Sequence, residues 1–480
     1  MYIKTVLYNL GILIVFLTLS LLLPLAVSFL YRENDFASFL LTTVLSCSLA
    51  VVMLFIFKTR SELRIKDSFT LVTLGWVSYS LLGALPFYFS GYIPTFTDAF
   101  FETMSGFTTT GASILTDVEK LPHGLLFWRS FTHWIGGMGI IVLSLALFPI
   151  SGFGGMKLFQ FESPGPEFDK VKPRIKETAK ILWGVYLIIT LVEVVLLVLN
   201  GMNLFDSCCH SFATMGTGGY STKNASIAFY QNAWIDYIVI FFMIVAAINF
   251  ILHYQVLKGK LNVYWHSSET LFFLAIILIA SLLIGADIYI SKGYTFWETV
   301  QKSLFQTVSI ITTTGFVTDN YEAWSSSVQI ILLILMFLGG CAGSTGGAIK
   351  IIRILILLKF GVNEIKRFMH PQAVLPVRID HRTVPQEIIN TIFSFFLLYL
   401  ILFVLGVIVM ALLGLDMVSA LGSVAATLGN VGPGLGSVGP LDNYAHVPDA
   451  GKWVLSFLML IGRLEIYPVI IFLVPVFWRK

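Results

Sequence analysis

Ten stretches of this chain are apolar for long enough to cross a lipid bilayer, at about 5–30, 36–57, 67–90, 127–150, 179–200, 233–257, 269–290, 327–359, 388–413 and 453–478. A helix needs roughly 20 apolar residues to span the hydrocarbon layer, and backbone that is not helical there leaves polar groups unpaired. So many stretches restrict the chain to a multi-pass bundle of membrane helices. Composition agrees: 57% of the 480 residues are hydrophobic and 12% are charged, about half the charged share of a soluble domain. The net charge is only +3, and no basic run is interleaved with aromatics, which excludes nucleic acid as a partner. Cys47, Cys208, Cys209 and Cys341 stand in apolar or Gly-rich segments without C-x-x-C spacing and read as small packing residues. The N-terminus enters an apolar stretch with no A-x-A cleavage pattern, so a retained first helix is expected, with no soluble domain at either end.

Between neighbouring spans lie four shorter apolar pieces, at 96–113, 204–221, 296–318 and 416–434. Each is too short to cross and runs into a Gly-containing loop, the signature expected of a re-entrant half-helix. Basic residues set the orientation. With the N-terminus in the cytoplasm, 22 Lys and Arg fall on the inner segments and 7 on the outer ones. This positive-inside bias places both termini in the cytoplasm and all four half-helices on the outer side.

The half-helices repeat one another. Asp98–Ser113 aligns without a gap on Asp206–Ser221 at an offset of 108, with Gly111 opposite Gly219. At an offset of 204, Phe101 meets Phe305, Ser105 meets Ser309, and Thr108-Thr109-Thr110-Gly111 meets Thr312-Thr313-Thr314-Gly315. The fourth piece resembles the second, Ala426–Gly432 lying opposite Ala213–Gly219. The expected fold is therefore an all-α integral membrane protein of four helix–pore-loop–helix repeats after a two-helix N-terminal extra. The divisions are 1–62 for the extra, then 63–160, 161–260, 261–365 and 366–480.

Four irregular loops at one depth must be buried in protein or line water, and four in register point to a common axis. Glycine permits left-handed backbone, and a ring of inward carbonyls replaces the hydration shell of a potassium ion. The negative C-terminal ends of the half-helices add to that preference for a cation. Close helix packing through small residues is the simpler reading of one such loop, but not of four in register. The candidate ion ligands are Thr109, Thr110, Gly111, Thr217, Gly218, Gly219, Thr313, Thr314, Gly315, Asn430, Val431 and Gly432.

With these loops the sequence resembles the Trk/Ktr/HKT superfamily of potassium transporters, and within it the bacterial TrkH/TrkG branch. The motifs are Thr109–Ala112, Thr217-Gly218-Gly219-Tyr220, Thr313-Thr314-Gly315-Phe316 and Asn430-Val431-Gly432-Pro433, and the resemblance covers essentially the whole chain, including the two-helix extra. It implies a pseudo-fourfold pore with a potassium filter formed by the loops. It also implies a homodimer with one pore per protomer, residence in the bacterial inner membrane, and a cytosolic RCK-type nucleotide-binding subunit (TrkA-like) docked on the inner face. Plant relatives that carry sodium have Ser at the first-loop glycine; Gly111 favours potassium. Potassium is the only ligand expected, with no organic cofactor.

The span 327–359 contains five glycines in the nine residues 339–347. Each interior glycine costs a helix about 1 kcal/mol, so a break is expected some 18 Å below the outer end, at 1.5 Å per residue. The spacing is not that of a phosphate loop. Gly339, Gly340, Gly343, Ser344, Thr345, Gly346, Gly347 and Lys350 are the candidate gate, and the resemblance implies an intramembrane gating loop at this place. Arg463 lies about ten residues into the last span, where an arginine marks a functional site by default. Its expected role is a fixed charge beneath the filter, in line with an arginine the family carries there; Glu465, on another face, is not its expected partner along the helix.

Glu102, Glu298 and Asp98 near the outer mouth are read either as cation attractors or as capping and solvated residues, and His133 and His210 as packing residues. Lys157, Lys350, Arg353, Lys366 and Arg367 are candidate contacts for the cytosolic subunit. The chain offers no nucleophile–base pair or H-E-x-x-H metal motif, so no enzyme is expected. The alternative function is a secondary cation transporter with alternating access, or a pore for sodium or ammonium; repeats in a single orientation favour a central pore.

Overall fold

The structure is a computed structural model, and it describes residues 3–59, 61, 63–147, 175–380 and 382–478. The described residues are almost wholly helical, with one two-residue antiparallel ribbon pairing Arg378–Ile379 with Arg382–Thr383. Six uninterrupted helices are long and apolar enough to span a bilayer. They are Ile3–Tyr31 and Phe36–Ile56 of the N-terminal pair, then Ile65–Phe89, Ile175–Leu199, Ser268–Lys292 and Gln386–Leu412, which open the four repeats.

Of the helices that close the repeats, the second and fourth depart from the expectation of unbroken crossings. The first, His123–Leu147, is continuous. The second does not run straight through 233–257: Ala233–Ala247 and Phe250–Leu257 are bent by 105° at Ile248-Asn249. The third breaks as expected, Ser326–Leu335 being followed by irregular chain until Ile351–Met369. The fourth ends at Arg463, and Glu465 and Ile466 turn into positive φ before the short helix Tyr467–Ile470.

All four expected half-helices are present, at Phe96–Phe107, Leu204–Gly216, Phe296–Ile311 and Met417–Leu428. Their 12 to 16 residues reach at most about 24 Å at 1.5 Å per residue, short of a full crossing. Each begins in the same way, because the side chains of Thr95, Asn203, Thr295 and Asp416 accept the N–H of the residue three places on. That cap satisfies one of the orphan donors of a helix start. Two cores bind the repeats into one body. Phe101, Phe107 and Trp128 of the first repeat pack with Val424, Leu455 and Met459 of the fourth, while Val239 and Met243 of the second pack with Phe273, Phe305 and Leu332 of the third.

Candidate functional site

The half-helices also end alike. Thr109, Thr217, Thr313 and Asn430 all have φ between 51° and 58°. One residue later, the N–H groups of Thr110, Gly218, Thr314 and Val431 reach back to the carbonyls of Ser105, Ala213, Ser309 and Ala426 at 2.8–2.9 Å. This is the six-to-one bond that closes a helix through a left-handed residue. The next residue, Gly111, Gly219, Gly315 or Gly432, again has positive φ, between 76° and 97°. Positive φ on either side of a residue of negative φ prevents successive carbonyls from alternating, and the N–H groups of Thr110, Gly218, Thr314 and Val431 are spent on the half-helix that precedes them.

The loops close on each other in chain order. A methyl built on Gly111 would stand 2.0 Å from the Gly218 carbonyl oxygen, one on Gly219 2.0 Å from that of Thr314, one on Gly315 2.1 Å from that of Val431, and one on Gly432 2.5 Å from that of Thr110. Every loop glycine thus faces a carbonyl of the following loop, and the fourth returns to the first. No donor among the described residues reaches the Thr110, Gly218, Thr314 or Val431 carbonyl. Behind the ring, Arg129 donates to Glu102 at 2.6 Å and to the Ser221 carbonyl at 3.0 Å, and lies 3.5 Å from the Tyr220 ring centre. The Tyr220 hydroxyl donates to the Glu102 and Ala112 carbonyls, so loops one and two share a buttress. Asn430 replaces the threonine of the other three loops. Its Nδ2 donates to Thr110 Oγ1 at 3.0 Å and to the Met459 carbonyl at 2.9 Å, which ties loop four to loop one.

The Gly339–Gly347 segment is seated directly against three of these loops. Thr217 Oγ1 donates to the Thr345 carbonyl at 2.9 Å, Gly347 N–H donates to Thr313 Oγ1 at 2.7 Å, and a methyl on Gly347 would meet the Gly429 carbonyl at 2.7 Å. The neck is closed by Gly339 N–H to the Ile349 carbonyl and Ile349 N–H to the Phe337 carbonyl. Within it, Ser344 Oγ donates to the Cys341 carbonyl, Lys350 Nζ to that of Gly346, and Ile351 N–H to that of Gly340. The Gly343 carbonyl accepts Phe250 N–H.

The TrkH family model, described as a cation transport protein, matches residues 36–480. The chain belongs to the TrkH family. It is 39% identical to the Trk system potassium uptake protein TrkH of Escherichia coli K12 over 100% of both chains. Against TrkG of the same strain the figure is 35%, covering 100% of this chain and 99% of that one. The crystal structure of the potassium transporter TrkH from Vibrio parahaemolyticus superposes over 100% of both chains with a TM-score of 0.92 at 37% identity.

In this TrkH-family chain Arg463 is 2% exposed. Nη1 donates to the Thr345 carbonyl at 2.6 Å and Nη2 to that of Gly136 at 3.2 Å. Glu465 is not its partner; that carboxylate pairs with Arg353. Of the remaining candidates, some readings change and others hold. Glu102 is no cation attractor at the mouth, because it is buried against Arg129. Asp98 pairs with Lys452 at 2.5 Å. Glu298 completes a capping box with Thr295, whose N–H and hydroxyl hold the carboxyl below its ordinary range. Lys350 and Arg353, 5% and 3% exposed, are closed to a cytosolic partner, whereas Lys366 and Arg367 are exposed. Lys157 lies outside the described residues. His210 is a packing residue that bonds the Asp206 carbonyl and Ser221 Oγ, and His133 stacks on Tyr220.

Sequence reasoning missed the bend at Asn249. The bend frees the Ala246 and Ala247 carbonyls, which accept Thr345 N–H and Oγ1 and Cys341 N–H, while Asn249 Oδ1 caps the helix that follows. The available signal was a lone asparagine within an apolar run.

Proposed function

We propose that this chain takes up potassium through a filter formed by its four loops. The observation that carries the reading is the closed ring of Thr110, Gly218, Thr314 and Val431 carbonyls, which no donor among the described residues engages. Such a ring replaces the water shell of a dehydrated cation, and relatives of the full chain length are named as potassium uptake proteins. The chain divides into an N-terminal pair and four repeats around this filter, sits in the bacterial inner membrane and keeps both termini in the cytoplasm.

The Gly339–Gly347 segment is the gate, docked beneath loops two, three and four, and Arg463 holds it through Thr345. Opening requires the Thr217, Thr313 and Arg463 bonds to break together. A cytosolic nucleotide-binding subunit works this gate through the exposed end of Ile351–Met369, where Lys366 and Arg367 supply the charge, and two copies of the chain form a homodimer with separate pores.

The test is uptake of a labelled potassium congener into proteoliposomes that hold the purified chain, with potassium, sodium and ammonium as competitors under a set membrane potential. Competition by potassium and not by sodium is the expected result. Equal competition by sodium would overturn the potassium filter. No uptake, with or without an added cytosolic subunit, would overturn the pore.

A further inference from the structure

Helix Ser268–Lys292 starts on a fixed platform. Ser267 caps it by accepting Thr270 N–H, and Ser268 N–H donates at 2.8 Å to Asp380 in the turn of the small ribbon. Its second residue, Glu269, is 5% exposed. One oxygen of that carboxylate, Oε1, accepts the N–H of Ala342 at 2.7 Å and the N–H of Ile352 at 3.1 Å. Ala342 is in the entering limb of the Gly-rich segment and Ile352 in the first turn of the helix that leaves it. A single atom of a neighbouring helix therefore joins two points ten residues apart.

Glycine-rich chain has a large conformational entropy to lose; backbone bonds join the two limbs as far as Gly340 and hold Cys341 to the Ala247 carbonyl, and Ala342 lies just beyond them. A carboxylate oxygen is the strongest acceptor a side chain offers to N–H groups. It also stands at the positive N-terminus of Ile351–Met369, where negative charge is favoured. We infer that Glu269 is a positioning residue that staples the two limbs of the 339–347 segment together. Moving the exit helix pulls Ile352 N–H off Oε1 and loosens Ala342 with it, so displacement at the inner end reaches the segment without passing through the filter. The effect on transport rests on the reading of this segment as the gate.

Cys341, buried and adjacent to Ala342, is a native reporter. In the purified full chain, alkylation of Cys341 by N-ethylmaleimide is followed by peptide mass spectrometry, with thermal unfolding as a check on the global fold. Glu269→Ala is expected to raise the Cys341 rate at least about tenfold, the scale of a single lost bond to a charged acceptor. Glu269→Gln keeps an Oε1 acceptor but loses the charge, and is expected to fall between the wild-type and Ala rates. An unchanged rate in Glu269→Ala overturns the proposal, as does a Gln variant as fast as the Ala one. Should Glu269→Ala not fold, hydrogen exchange of the unaltered chain decides: slow exchange at both Ala342 and Ile352 supports the staple, and exchange at the rate of exposed loops overturns it. Faster alkylation with unchanged congener uptake leaves the staple standing and removes the gate reading.

Discussion

Thr109, Thr217 and Thr313 are β-branched residues at φ of 51–58°, a conformation such side chains rarely adopt. Each costs of order 1–3 kcal/mol and persists because the six-to-one bond and the packed ring over-determine it. The glycine two residues on carries a different requirement, since a methyl at Gly111 would lie 2.0 Å from the Gly218 oxygen. Gly111→Ser should push that carbonyl out of the ring, and the preference for potassium over sodium in competition uptake should fall at least about tenfold; an unaltered preference removes loop one from the filter. Asn430→Thr would make the four loops alike but gives up two bonds, one to Thr110 of the first repeat and one to the Met459 carbonyl of its own. At about 1 kcal/mol each, a fall in melting temperature of a few degrees is expected, measurable in detergent. Arg463→Met removes the grip on Thr345 and should raise congener flux with ion preference unchanged. A fall in flux would show that Arg463 does not restrain the segment.

At the level of elements, the half-helices were readable because two local signals coincide in each, an apolar run too short to cross and a loop glycine. The breaks were readable only where composition changes. Five glycines announce the one at 339–347. Ala246–Phe250 and Arg463–Tyr467 carry only isolated polar residues, Asn249 in one and Arg463 and Glu465 in the other, and the bends are held by tertiary partners, the segment 339–347 in one case and the Arg353–Glu465 pair in the other. Charge was misread for the same reason: counting Lys and Arg gives the sidedness of a loop but not whether Lys350 and Arg353 turn inward from it. Two variants probe how the elements are joined. Thr217→Val removes the hydroxyl that meets Thr345, so Cys341 should become more reactive without a change in the overall fold. Arg129→Met leaves Glu102 buried without its cation, which costs about 3–5 kcal/mol, and should abolish recovery of folded protein; normal thermal stability would show that the pair is not a buttress.

Across the whole molecule, one chain achieves a ring that identical subunits would otherwise supply, and unequal repeats let each quarter take a separate task. The first is braced by Arg129, the second bends at Asn249, the third carries the Gly-rich segment and the fourth contributes Arg463 and Asn430. The bond from Asn430 to Thr110 joins residues 320 positions apart, so the ring cannot close until the last repeat has been inserted. Contacts of such separation form late, and chains emerge from the N-terminus at about 5–20 residues per second. A nascent chain with three repeats has three correctly capped half-helices and an open fourth side. If the ring is the ion path and the 339–347 segment its gate, as proposed, the cell's ion gradient is protected during biosynthesis, because the ring is completed only by the final hundred residues, after that segment has already been made.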